Sequence, residues 1–67
     1  MEFHNRLYFE RHKSGLSADS VAKRLDMPTS TYYTYERGKH KPPYDKLVAL
    51  CDLFNVTADY MLGRTER

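Results

Sequence analysis

One stretch, Leu16 to Gly38 (LSADSVAKRLDMPTSTYYTYERG), leaves this chain little freedom in how it folds. It reads as a short amphipathic helix, a sharp turn and a second short helix. Ser17 is a good N-cap, because its hydroxyl can accept a bond from a backbone N–H of the first turn. Val21, Ala22 and Leu25 follow on one helical face. Ala22 is small where two helices must cross closely. Asp26 stands at the turn, and Asp tolerates the left-handed conformation better than most residues. Met27 can point back into the core. Pro28 suits a helix entry, where its missing N–H has no intrahelical partner. A second helix is therefore predicted over roughly Thr29 to Arg37. The rest of the chain reads as support for this pair.

The second helix has two faces. Tyr32, Tyr35 and Glu36 fall together at i, i+3, i+4 and are expected to point inward. Thr29, Ser30, Tyr33, Thr34 and Arg37 fall on the other side. Hydroxyls of Thr and Ser can contact either base type, and a Thr methyl can pack on a thymine methyl. A helix, a tight turn and a second helix with a polar outer face is the sequence shape of a helix-turn-helix, whose second helix lies in the DNA major groove. Thr29, Ser30, Tyr33 and Thr34 are the candidate base readers. Net charge is only +2, so distribution matters more than total. Arg37, Lys39, His40 and Lys41 cluster just after the second helix. Arg37, Lys39 and Lys41 are candidate phosphate contacts, which supply affinity but little sequence information. The backbone N–H groups of Ser17 and Ala18, at a helix N-terminus, are further candidates.

Flanking segments build the core. Phe3, Leu7 and Arg11 share a face, so a first helix is predicted from about Glu2 to Lys13, ended at Ser14-Gly15. Pro42-Pro43 stops the basic loop and opens a helix. There Leu47, Leu50, Cys51 and Phe54 make the stripe of a buried face. Asn55 can take a left-handed cap. Thr57 caps a final helix holding Tyr60, Met61 and Leu62, which Gly63 ends. The expected fold is all-α: a compact unit of five short helices without strands, with the helix-turn-helix at the second and third. At 67 residues there is room for one domain, with the motif at about 17–37 and a possible linker beginning at 64–67.

Cys51 is the single cysteine, so no disulfide staples the chain and a reducing cytosol fits. No apolar run approaches the roughly 18 residues of a membrane span, and a cytoplasmic location is expected.

The residues Leu16-Ser17, Val21-Ala22, Leu25, Ser30-Thr31, Tyr35-Glu36, Gly38 and Pro42 carry a wider resemblance. So do Leu47, Leu50, Phe54-Asn55-Val56-Thr57, Asp59-Tyr60 and Leu62-Gly63. Across residues 3–63 the chain resembles the Cro and phage-repressor type of helix-turn-helix domain, also called the xenobiotic-response-element family. It departs from the family at Ala18, where Gln is frequent, and at Asp26, where Gly is frequent. The resemblance implies a lambda-repressor-like fold and a sequence-specific double-stranded DNA-binding regulator of bacterial or phage origin, most often a repressor. It implies self-association on an operator with two half-sites. The surface at Asn55, Thr57, Ala58 and Met61 is the expected dimer contact. The family often has an ion pair where this chain has Arg11 and Glu36. Arg11 lies on the Phe3-Leu7 face and Glu36 beside Tyr32 and Tyr35, so the two are expected to meet.

Other chemistry finds no purchase. His4, His12 and His40 are scattered, without zinc-ligand spacing. Cys51 lacks a matched His and acid and reads as a small core hydrophobe. No Gly-rich phosphate loop is present. One outward Tyr in the Tyr32-Tyr33-Tyr35 cluster is a poor stacking platform for single strands. No enzyme, cofactor or metal is expected. The rival reading is a protein-interaction module of the same fold, such as an antitoxin or an anti-repressor target. An apolar patch around the second helix would favour it over DNA, and an additional regulatory protein partner is compatible with either.

Overall fold

A computed structural model of the chain describes residues 2–65. Five helices follow one another: α1 (Phe3–Ser14), α2 (Ala18–Arg24), α3 (Thr29–Glu36), α4 (Tyr44–Phe54) and α5 (Ala58–Met61). Among the described residues there is no strand. Predicted and observed helices agree to within a residue or two. Arg37 lies just outside α3 as its C-cap, and Leu62 just outside α5.

Local chemistry sets the boundaries. Ser17 Oγ accepts the Ser20 N–H at 3.1 Å, and Thr57 Oγ1 accepts the Tyr60 N–H at 3.1 Å, so both short helices start on a hydroxyl cap. Pro28 and Pro43 immediately precede α3 and α4, each with φ near the proline value, −65° and −64°. Left-handed residues end the longer helices: Gly15 after α1 (φ 79°) and Asn55 after α4 (φ 56°). Arg11, His12 and Lys13 occupy the last turn of α1, where cations complement the helix dipole.

α1 is the bracket of the fold, packing against α3, α4 and α5, while α2 packs on α3. Leu7, Val21, Ala22, Tyr32, Leu50 and Met61 are completely buried at the centre. Leu16, Met27, Leu47, Leu53, Phe54 and Val56 close over them from the edges. Two polar fastenings complete the assembly. The buried Arg6 guanidinium lies 4.4 Å from the Tyr60 ring centroid and donates to the carbonyls of Tyr60 (2.9 Å) and Thr65 (2.6 Å). Tyr60 in turn donates its hydroxyl to Glu10 at 2.8 Å, so α1 grips α5 at two points. Lys46 Nζ donates to the Leu25 carbonyl at 2.6 Å, tying α4 to an otherwise unpaired end of α2.

Met61 corrects the expected dimer contact. Its side chain is fully buried in the core, whereas Asn55, Thr57 and Ala58 are exposed. On a helix of a single turn, the residue that anchors it to the core cannot also face a partner. In the segment expected to open a linker, Arg64 pairs with Asp59 at 3.4 Å and the Thr65 carbonyl is held by Arg6. Residues 66 and 67 lie outside the described residues. Among the described residues no helix is long and apolar enough to cross a membrane.

Cys51 is buried, and desolvation followed by the neighbouring Asp52 charge pushes its thiol pKa up. Both burial and the shortage of thiolate slow its reaction. Under native conditions a thiol reagent should label Cys51 much more slowly than in denaturant. Equal rates would place Cys51 at the surface.

Candidate nucleic-acid interface

The turn between α2 and α3 is built from backbone bonds. Asp26 N–H donates to the Lys23 carbonyl (3.1 Å) and Met27 N–H to the Ala22 carbonyl (3.0 Å). This pairing is a Schellman motif, and its left-handed position is filled by Asp26 at φ 58°. The departure from Gly at this site therefore leaves the turn geometry intact. Half-buried Met27 then packs against the core, as its place in the sequence implies.

Which side of α3 faces outward is decided beneath it. Tyr32 and Tyr35 are buried and meet edge to face, with ring centroids 6.4 Å apart. Glu36 accepts a forked pair from Arg11, Nε at 2.5 Å and Nη2 at 3.1 Å, plus the Tyr32 hydroxyl at 2.5 Å. The remaining Arg11 nitrogen donates to the Leu16 carbonyl at 3.1 Å. Arg11 and Glu36 are each 8% exposed, and no buried side-chain polar atom among the described residues lacks a partner. The Glu36 hydrogen bond raises the Arg11 pKa against the opposing effect of burial. Burial first, then Glu36, drives the Tyr32 phenol pKa far above its ordinary value.

The outer side carries the other residues of interest. Ser30 is exposed, Thr29 and Thr34 are half-buried, and Tyr33 is 36% exposed. Thr29 Oγ1 donates to the Asp19 carboxylate, a bond joining the first turns of the two motif helices. Thr34 Oγ1 donates to the Thr31 carbonyl at 2.6 Å, leaving its oxygen lone pair and methyl for outside contacts. Arg37 lies with its guanidinium 5.2 Å from the Tyr33 ring centroid.

Beyond Arg37 the chain turns at Gly38 (φ 77°), where a Cβ would meet the His4 ring at 2.9 Å. The Lys39 and His40 N–H groups both donate to the Thr34 carbonyl, at 3.0 and 3.3 Å. The basic loop is thus folded back onto the end of α3, with Lys39, His40 and Lys41 exposed. At the start of α2, the Ser17 hydroxyl is engaged with Ser20 and the Ala18 side chain is buried. Only their backbone N–H groups, ahead of the helix's own bonding, remain as candidate donors.

Among the described residues no three His, Cys, Asp or Glu side chains group as metal ligands. Sequence reasoning brought Arg11 to Glu36 but missed Asp19 and Lys46. Asp19 reaches a residue ten positions away across a turn, and Lys46 reaches a backbone carbonyl. Neither contact leaves a periodic signal.

The Arg11–Glu36–Tyr32 cluster makes two predictions. Glu36→Ala leaves Arg11 buried without its partner, a change that costs roughly 3–5 kcal/mol. Chemical denaturation should show this loss, and an unchanged midpoint would refute the cluster's structural role. The second concerns alkaline pH. An unfolded phenol ionises near pH 10, but folded Tyr32 holds its proton well beyond that. Stability contributed by Tyr32 is therefore complete below about pH 10 and falls as pH rises above it. Ultraviolet titration should find a tyrosine that stays protonated until the chain unfolds, and Tyr32→Phe should abolish that late step.

Comparison with known proteins agrees with this geometry. A family model described as a helix-turn-helix domain matches residues 6–61. The uncharacterized HTH-type transcriptional regulator YobD of Bacillus subtilis is 39% identical over 61 residues, covering 91% of this chain and 54% of that protein. The HTH-type transcriptional regulator ImmR of the same organism is 35% identical over 66 residues, covering 98% of this chain and 52% of that protein. The chain therefore spans about half the length of the curated relatives it matches. A crystal structure of a transcriptional regulator from Listeria innocua superimposes with a TM-score of 0.89 at 27% identity, covering 98% of this chain and 62% of that one. With its two motif helices, its Schellman turn and these relatives, the chain belongs to the helix-turn-helix domain family, of the Cro-like, xenobiotic-response-element kind.

Proposed function

We propose that this chain is the sequence-specific double-stranded DNA-binding part of a cytoplasmic transcriptional regulator, a repressor in role. The observation that carries the reading is the division of α3. Its inner side is locked by Tyr32, Tyr35 and Glu36, and its outer side offers hydroxyls followed by an exposed basic loop. Such a surface suits a major groove flanked by phosphates. It is not the apolar patch that a protein partner would need.

In this reading Thr29, Ser30, Tyr33 and Thr34 form the base-facing surface. Arg37, Lys39 and Lys41 lie against the sugar-phosphate backbone, with the N–H groups of Ser17 and Ala18 at a second phosphate. Two copies sit on an operator of two half-sites, about one helical turn apart. Asn55, Thr57 and Ala58 offer the contact between copies. A surface this short should struggle to reach the roughly 1,000 Å² of stable interfaces, so pairing is expected in the DNA-bound state.

The test begins with in-vitro selection of bound duplexes, which gives half-site sequence and spacing. Variants are then titrated against single-base changes at several salt concentrations. Thr34→Ala should alter the preferred base at one position of each half-site by roughly 1 kcal/mol, less than a strong bidentate contact. Lys39→Ala should weaken every duplex alike and lower the salt slope by about one unit per half-site. The opposite pattern, uniform loss from Thr34→Ala and altered preference from Lys39→Ala, would overturn the docking.

A further inference from the structure

Tyr33 and Arg37 stand one turn apart on the outer side of α3, at i and i+4. The Arg37 guanidinium carbon lies 5.2 Å from the Tyr33 ring centroid, within cation–π range. Arg37 is the residue after the last helical one and keeps a right-handed backbone (φ −89°, ψ −3°). From there its side chain leans back over the preceding turn, as helical side chains do. Among the described residues no carboxylate pairs with Arg37, whereas the Arg11 charge is matched by Glu36. The Tyr33 ring is itself braced. It packs tilted on the fully buried Tyr32 ring, centroids 6.4 Å apart, and remains 36% exposed. A line of three side chains thus runs from the core through Tyr32 and Tyr33 to an unmatched positive charge.

We propose that Tyr33 is a positioning residue. Its ring face holds the Arg37 guanidinium at the C-terminal end of α3, ready to clamp a DNA phosphate. The inference rests on the DNA-binding reading above and gives Tyr33 a specific part in it, through its ring and not its hydroxyl. An unsupported arginine loses rotamer freedom when it engages a phosphate, while one already stacked has lost much of it beforehand. A planar guanidinium suits such a platform, and a lysine ammonium does not offer the same stack.

The experiment compares the wild-type chain with Tyr33→Phe, Tyr33→Leu, Arg37→Ala and the double variant Tyr33→Leu/Arg37→Ala. The probes are the duplex selected by the wild-type chain and its single-base variants. Tyr33→Phe keeps the ring and should escape the uniform loss of Tyr33→Leu, whatever its hydroxyl does at a base. Beyond any change in base preference, Tyr33→Leu should lose about two- to five-fold on every duplex alike, the range for an exposed cation–π contact. In the Arg37→Ala background, that uniform loss should disappear. In the free chain, the ring-current shift of the Arg37 side-chain protons should survive Tyr33→Phe and vanish in Tyr33→Leu. A ring-current shift that survives in Tyr33→Leu, or additive uniform losses in the double variant, would overturn the proposal while leaving DNA binding intact. A wild-type chain that selects no duplex would overturn both the proposal and the reading beneath it.

Discussion

The Glu36 carboxylate is the point on which the setting of α3 turns. It sits at the end of an eight-residue helix and receives Arg11 from α1 and Tyr32 from one turn earlier. Two charges taken out of water are expensive, and a pair of apolar residues would stabilise such a site as well or better. What the carboxylate adds is direction. An apolar side chain packs in any rotation that buries it, whereas a forked guanidinium and a phenol satisfy a carboxylate in one arrangement. Each residue of an α-helix advances about 100° around the axis. A slip of one position would turn Thr34 inward and leave Arg11 buried beside nothing. The ion pair thus fixes which residues of α3 face outward, and every property of the outer face follows from it.

The same device recurs at the other end of α1. A chain of 67 residues has a small core and only one cysteine, so neither bulk nor a disulfide holds its short helices in register. α5 is a single turn. Met61 anchors it by burial, and Arg6, Tyr60 and Glu10 anchor it by cation–π contact and hydrogen bonds. Arg6, Glu10 and Arg11 lie along one helix and are buried, giving α1 a core-facing side that is half ionic. Around it Leu7 and Phe3 supply the apolar part. α1 therefore serves two helices at once, orienting α3 through Arg11 and α5 through Arg6.

This mixed face also explains what the sequence did and did not reveal. Helix positions were legible because they rest on local chemistry: Ser17 and Thr57 as caps, Asp26 and Asn55 in left-handed turns, and prolines just ahead of α3 and α4. The inward face of α3 was legible because Tyr32, Tyr35 and Glu36 obey helical spacing. Arg6 and Glu10 were not legible as core residues, since charge normally marks solvent and their partner on α5 lies fifty or more positions away. Met61 was misassigned to the surface for a related reason. A one-turn helix has too few residues to show a period, so its buried side cannot be told from its exposed one. The Asp19–Thr29 and Lys46–Leu25 contacts depend on tertiary approach and carry no local signature.

The short length of α3 imposes a division of labour along it. Eight residues rise about 12 Å, comparable to the width of a major groove, about 12 Å. Held in such a groove, a helix of about two turns must soon climb out past a phosphate backbone. The outer residues change character in step with that climb. Hydroxyls on Thr29, Ser30 and Thr34 give way to the Tyr33-supported guanidinium of Arg37 and then to Lys39 and Lys41. The Thr34 carbonyl accepts both the Lys39 and His40 N–H groups, so the basic loop is fastened to the helix that it follows. Groups suited to bases and groups suited to phosphates are therefore held in one rigid frame, whose rotation was already settled by Glu36 in the core.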